Sequence, residues 1–342
     1  MRFKLLGKSG LRVSELCLGT MTFGEDWGWG SNQEQSRRIF DAYAEAGGNF
    51  LDTADGYTNG SSEKMLGEFL SVPGERQRYV VATKYSFNSR RGDPNAGGNH
   101  RKNMVQALEG SLKRLRMDYV DLYWMHAWDQ LTPIEEVMRG LDDLVRQGKI
   151  LYAGVSDVPA WWLSRANTLA ECRGLTPFVA LQIEYSLIER TPERELLPAA
   201  EALGMSLAAW SPLSGGLLTG KYSKKGGEEK RLDKAPGFVD MSPRNLAIAQ
   251  AVGAVAAEIG RSPAQVALAW LLQKPYVIPI LGARTLDQFK DNLGCLSLKL
   301  DQEQRRRLDE ASAIVLGFPN DFLTRPPVRE FLHGGTWDQI NR

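Results

Sequence analysis

The sequence predicts an α/β protein, a closed (β/α)₈ TIM barrel with an N-terminal β-hairpin closing its bottom, and three observations carry that expectation. Eight short β-rich apolar runs recur along the 342 residues, and each is followed by a stretch with helical spacing. The runs are apolar on both faces, as the strands of a parallel sheet covered by helices must be. Eight such units without an evident linker favour closure over an open doubly wound sheet, so residues 1–342 read as a single domain.

Residues 1–13 precede the first unit and read as two short strands around Gly7-Lys8-Ser9-Gly10, a hairpin suited to one barrel end. The strand runs are ELCLGT (15–20), NFLDTA (49–54), YVVATK (79–84), VDLYWMH (120–126), ILYAGVS (150–156), FVALQIE (178–184), MSLAAWS (205–211) and YVIPIL (276–281). Between them, segments such as EQSRRIFDAYAEAG, RKNMVQALEGSLKRLR, PIEEVMRGLDDLVRQG, ERELLPAAEALG and NLAIAQAVGAVAAEIG repeat apolar residues three and four apart. Several end in glycine, as a helix stop does. Two connections are long, Ser86–Asn99 and Leu213–Asp240, the second carrying SKKGGEEKRLDK. A charge run is ordinarily solvated surface. Loops that follow barrel strands nevertheless lie at the active face, so covers over a site are the second reading. The tail, FPNDFLTRPPVREFLHGGTWDQINR, has aromatics without a period and either covers the mouth or packs on the barrel wall.

Composition narrows the function. Lys and Arg number 42 against 41 Asp and Glu, a net charge of +1, so no global field draws the chain to nucleic acid or an anionic membrane. A small-molecule partner is expected. Cys17, Cys172 and Cys295 are odd in number and far apart, which builds neither a disulfide framework nor a metal knuckle and fits a reducing cytoplasm. No signal-peptide core stands at the amino terminus, and no run approaches the roughly 18 apolar residues of a membrane span. Asn59-Gly60-Ser61 matches a glycosylation acceptor, read here as chance. His100, His126 and His333 are the only histidines and no HExxH is present, which argues against a metal-dependent hydrolase. GxSxG, a Walker loop and a strand-linked GxGxxG are likewise missing.

Barrel chemistry sits at the carboxyl ends of strands, and those ends supply Asp52, Lys84, His126, Ser156, Gln182 and Ser211. Each has a plainer reading. Asp52 suits turn hydrogen bonds, Lys84 a charge reaching for water, and His126 a core imidazole bonded to backbone. Convergence favours the functional reading, because consecutive strands aim unlike polar groups at one cavity. The stretch FLDTADGY (50–57) adds Tyr57 just beyond Asp52, with Asp55-Gly56 suited to a tight turn. An ammonium beside a phenol stabilises the phenolate and lowers its pKa from about 10. Lys84 supplies that charge, Asp52 keeps it protonated and aimed, and His126 hydrogen-bonds a carbonyl oxygen or helps relay its proton. Such a set suits carbonyl reduction, whose hydride requires a nicotinamide cofactor.

DTADGY with strand-end Lys84 and His126 closely resembles the aldo-keto reductase superfamily, from KLLGKSGLRVSELCLGTMTFG to ILGARTLDQFKDN. The resemblance implies an NAD(P)H-dependent reductase on a (β/α)₈ barrel, with Asp52, Tyr57, Lys84 and His126 as catalytic tetrad and Tyr57 as general acid. It places Gly19, Thr20 and Met21 on the nicotinamide side, and assigns Ser156, Asp157 and Gln182 to the carboxamide. Asp157 stands where asparagine is common. Trp210 takes the place of the aromatic stacked on the nicotinamide, often tyrosine, and any aromatic face serves. Ser211, Pro212, Leu213, Ser214, Gly215 and Leu217 match the loop around the pyrophosphate, where glycine permits close approach. Gly282, Ala283, Arg284, Gln288 and Asn292 match the adenosine-phosphate segment, and a guanidinium there favours NADPH over NADH. Arg284 as a surface cation and Gly215 as mere loop are the plainer alternatives. Trp27, Trp29, Tyr85 and Trp128 are the candidates for gripping a carbonyl substrate, or else packing residues. The rival function is a cofactor-binding regulatory subunit similar to the potassium-channel β subunits.

Overall fold

The structure is a computed structural model that describes residues 1–222 and 240–341. Most of the charged loop expected over Leu213–Asp240 lies outside the described residues. Among the described residues ten strands form two sheets: β1 (Phe3–Leu5) pairs antiparallel with β2 (Arg12–Ser14), and the other eight close a parallel barrel. These are β3 (Cys17–Gly19), β4 (Phe50–Asp52), β5 (Val80–Tyr85), β6 (Val120–Met125), β7 (Ile150–Ser156), β8 (Phe178–Glu184), β9 (Ser206–Trp210) and β10 (Val277–Leu281), with β10 closing on β3. Every expected apolar run marks a strand, β5 alone running one residue past its run to Tyr85, and the runs at 150–156 and 178–184 coincide with β7 and β8.

Each strand turns alternate residues to opposite sides. In β5, Val80 and Ala82 point into the barrel with Lys84 above them, while Val81 and Tyr85 point out to the helices. The same alternation sends Leu122 and Trp124 of β6 inward and Tyr123 and Met125 outward. Trp124 fills the interior because β7 offers Gly154 opposite it, where a Cβ would overlap the indole ring. Outside, helices cover the barrel with one apolar face each. The helix Ile134–Arg146, for example, buries Val137, Met138, Leu141 and Leu144 and turns Glu136, Arg139 and Arg146 to solvent.

The hairpin caps the end where the strands begin. Gly7 N–H donates to Ser206 Oγ at 2.8 Å and Lys4 Nζ to the Val277 carbonyl at 2.7 Å, while Leu6 and Val13 plug the interior. The opposite end, where the strands finish, is left for chemistry. The carboxyl-terminal tail forms short helices Asn320–Leu323 and Pro326–His333. It is tied beside the segment after β8, where Arg194 donates to the Val315 carbonyl and Asn320 Nδ2 to the Arg194 carbonyl at 3.1 Å. No helix among the described residues is long and apolar enough to cross a membrane.

Candidate active site

The inward-facing positions that continue the alternation past the last apolar layer are Asp52, Lys84 and Gln182, ringed by His126, Ser156 and Trp210. Lys84 is fully buried. Its Nζ lies 2.5 Å from Asp52 Oδ2, 2.7 Å from the Thr53 carbonyl and 3.1 Å from the Tyr57 hydroxyl, so its three protons have three acceptors. The second Asp52 oxygen accepts from Gln182 Nε2 at 3.1 Å. Tyr57 reaches this group through the turn after β4. Asp55 N–H donates to the Lys84 carbonyl and Tyr57 N–H to that of Ala54, both at 3.2 Å. Left-handed backbone at Thr58, Asn59 and Gly60 then reverses the chain into the helix Ser61–Phe69. Thr58 Oγ1 pins that reversal by donating to the Phe23 carbonyl at 2.6 Å.

Burial works against the charge on Lys84, yet the Asp52 carboxylate and then Tyr57 more than offset it, and the ammonium is held above the ordinary lysine pKa. The phenol of Tyr57 corrects the sequence expectation. Burial raises its pKa above the ordinary value, and the nearby Lys84 charge only moderates that rise, because Asp52 already neutralises the ammonium. Tyr57 therefore keeps its proton at neutral pH, which a proton donor needs. Burial and then Lys84 push His126 well below the ordinary imidazole value, so it is neutral. Its buried Nδ1 has no hydrogen-bond partner among the described residues. The Tyr57 and His126 rings meet edge to face at 5.8 Å.

Several residues that hold this group were not singled out from sequence. Ser86 Oγ accepts the His126 N–H at 3.1 Å, and Asn99 Nδ2 donates to Ser86 Oγ at 2.8 Å and to the Ala127 carbonyl at 2.9 Å. Asn99, 1% exposed, thereby clamps the start of one long loop to the backbone beside His126. The only trace in the sequence is that these two polar residues bracket the Ser86–Asn99 loop. Phe87 was also missed, and its ring lies 4.4 Å from that of His126.

Of the proposed substrate wall, Trp27 sits 6.5 Å from Tyr57, edge to face, and 5.6 Å from Trp29. Trp128 meets Trp161 at 5.6 Å. Tyr85 is a correction. It is fully buried on the helix side of β5, stacked on Tyr123 at 5.0 Å, because residues adjacent in a strand point to opposite faces and Lys84 takes the inward one.

The expected cofactor positions fit such a group in several respects. Ser156 Oγ is buried at the strand ends with no hydrogen-bond partner among the described residues. Asp157 Oδ1 accepts from Trp210 Nε1 at 3.2 Å, leaving the indole held beside it. Positive φ at Ser211, Ser214, Gly215 and Gly216 coils the loop after β9, a backbone shape that suits an anion, and the Lys221 ammonium lies against Gly216. Leu217 is buried, and Thr20 Oγ1 is already bonded to the Asp52 carbonyl at 3.0 Å and to Ser62 Oγ at 2.7 Å. Gly19 is close-packed, since a Cβ there would come within 2.6 Å of Ile280 Cγ2, and Met21 is half-buried just beyond. Pro212 is buried and Leu213 half-buried in the coiled loop. After β10, Gly282 has open space around it, and the carbonyls of Ala283 and Arg284 accept from Thr22 Oγ1 at 2.8 Å and Ser31 Oγ at 2.9 Å. Arg284 N–H donates to Gln288 Oε1 at 3.1 Å, its guanidinium makes no ion pair among the described residues, and Asn292 is buried in the helix Leu286–Leu293 that also carries Gln288.

Residues 15–313 match the Aldo/keto reductase family. The chain is 37% identical over 338 residues to the norsolorinic acid reductase of Aspergillus flavus, covering 96% of this chain and 85% of that one. It is 39% identical over 332 residues to the aryl-alcohol dehydrogenase [NADP(+)] of Phanerodontia chrysosporium, covering 91% and 85%. It is 36% identical over 343 residues to the aldo-keto reductase ausK of Emericella nidulans, covering 95% and 85%. With the barrel and its strand-end group of Asp52, Tyr57, Lys84 and His126, these matches show that the chain belongs to the aldo/keto reductase family of oxidoreductases.

Proposed function

We propose that residues 1–342 form one domain that uses NADP(H) to interconvert aldehydes or ketones with alcohols, with Tyr57 as the acid that protonates the carbonyl oxygen. The observation that carries this reading is the contact of Lys84 Nζ with both Asp52, at 2.5 Å, and the Tyr57 hydroxyl, at 3.1 Å. When bound, the nicotinamide supplies the hydride that the carbonyl carbon receives. Tyr57 gives its proton to the oxygen as negative charge grows there, and the Lys84 ammonium stabilises the phenolate left behind. Asp52 keeps Lys84 charged and aimed, and Gln182 holds Asp52. Neutral His126 stands beside the phenol to hydrogen-bond the same oxygen.

Support for NADP(H) comes from the Arg284 guanidinium, which makes no ion pair among the described residues and suits a 2′-phosphate, and from the relative named for NADP(+). The rings of Trp27, Trp29, Phe87, Trp128 and Trp161 around the mouth suit a flat, aromatic carbonyl compound, in keeping with the relative named an aryl-alcohol dehydrogenase. The test is Tyr57→Phe with a panel of aromatic and aliphatic aldehydes. Loss of the acid is expected to lower kcat by about 10²–10⁴ while cofactor affinity holds. Unchanged turnover removes Tyr57 from this role. Bound cofactor without turnover of any carbonyl by the unsubstituted protein favours the regulatory-subunit reading instead.

A further inference from the structure

Asp157 is where the chain departs from the pattern it resembles, and its surroundings give the departure a consequence. It follows β7 directly with φ +48°, a left-handed backbone that aspartate tolerates better than most residues. Its N–H donates to the Gln182 carbonyl and its own carbonyl accepts from Trp128 N–H, both at 3.3 Å, which fixes the residue from two sides. Oδ1 accepts the Trp210 indole N–H at 3.2 Å. The carboxyl is open to solvent at the mouth, yet protein surrounds it on the other sides. Burial raises its pKa to about 6, against the indole hydrogen bond and the Lys84 charge, which lower it. Its charge is felt across the mouth, contributing to the raised values of both Tyr57 and Glu184.

On the reading that this mouth holds a nicotinamide cofactor, we propose that the Asp157 carboxylate, acting with the Trp210 indole, makes the site bind the oxidised form more tightly than the reduced form, which tilts hydride transfer on the protein toward the alcohol. The oxidised nicotinamide ring carries a positive charge that the reduced ring lacks. A carboxylate only partly reached by water attracts that charge, and an indole donating its N–H to an anion presents a more electron-rich face to a cation. Only a difference in affinity between the two forms shifts the balance between them. Asp52 pairs with Lys84 and so weakens, without removing, the opposing field of the ammonium at Asp157. An asparagine at this position would keep the size and the hydrogen-bond acceptor while removing the charge.

The experiment titrates the unsubstituted protein and Asp157→Asn with NADP⁺ and, separately, NADPH, reading tryptophan fluorescence rather than turnover. At about pH 8, Asp157→Asn is expected to weaken NADP⁺ about three- to tenfold and leave NADPH within about twofold. At about pH 5 the unsubstituted protein is expected to bind the two forms in the ratio shown by the variant, since its carboxyl is then protonated. Glu184, Tyr57 and Lys84 also face Asp157, and the variant measured at both pH values reports any contribution they make. Equal ratios for the two proteins at about pH 8 overturn the inference and leave cofactor use intact. If the unsubstituted protein binds neither form, the reading beneath the inference fails instead.

Discussion

At the floor of the mouth Lys84 is fully buried and its ammonium is bonded to Asp52, the Thr53 carbonyl and Tyr57. Around the rim, Trp27 is 37% exposed, Phe87 55% and Trp161 57%, and their noted contacts are ring to ring. Floor groups bear charge away from water, so each must have a partner at a set distance and few other residue types satisfy it. Rim groups offer apolar faces that exchange with one another at small cost. Under the proposed function, proton transfer belongs to the floor and choice of substrate to the rim. It also assigns intolerance of substitution to the floor.

The largest effect expected from breaking this contrast is at Lys84. Lys84→Met keeps the length and apolar stem but strands the buried Asp52 carboxylate and the Thr53 carbonyl. Removing one partner of a buried ion pair costs about 3–5 kcal/mol, to be read from denaturant midpoints with activity lost in parallel. A loss below about 1 kcal/mol would mean that water reaches Asp52 and that the floor is no different from the rim. Trp27→Ala, in comparison, is expected to leave stability within about 0.5 kcal/mol and kcat nearly unchanged while raising KM for aromatic carbonyls about three- to tenfold. If kcat fell as far as it does in Tyr57→Phe, Trp27 would belong with the floor, acting through its edge contact on the Tyr57 ring.

The same contrast governs what the sequence made legible. Asp52, Lys84 and His126 could be placed together from sequence because a strand end fixes where a side chain points, and Tyr57 follows Asp52 by one turn. Tyr85 was misread by a single position, since a shift of one residue along a strand moves a side chain from the mouth to the helix layer. Asn99 and Ser86 were not legible as a clamp on His126, because their partners come from another strand and its loop. The raised pKa of Tyr57 was not legible either. Sequence shows that a cation is near, but only the packed structure shows that Asp52 has already neutralised it and that burial prevails.

The smallest effect concerns Asp55, which belongs to the floor but breaks its rule. Glu63, fully buried beside it, is bonded to Thr83 Oγ1 at 2.5 Å and to Arg114 Nε at 2.6 Å, whereas Asp55 Oδ1 is buried with no partner among the described residues. Burial, and then the charge of Glu63, pushes the Asp55 pKa up to about 7. In the unfolded chain the same carboxyl titrates near 3.9. Between those values the unfolded chain has released its proton and the fold retains it, so stability falls as pH rises from about 4 to about 7, and the penalty is complete above that range. Asp55→Asn removes the titration while keeping the shape of the turn that carries Tyr57. The variant is expected to be more stable than the unsubstituted protein by at least about 1 kcal/mol at about pH 8, the full shift corresponding to at most about 4 kcal/mol, with the gain vanishing near pH 4, as read from urea midpoints. A gain of equal size at both pH values would trace to packing or a new amide hydrogen bond, and Asp55 would then be as well satisfied as the rest of the floor.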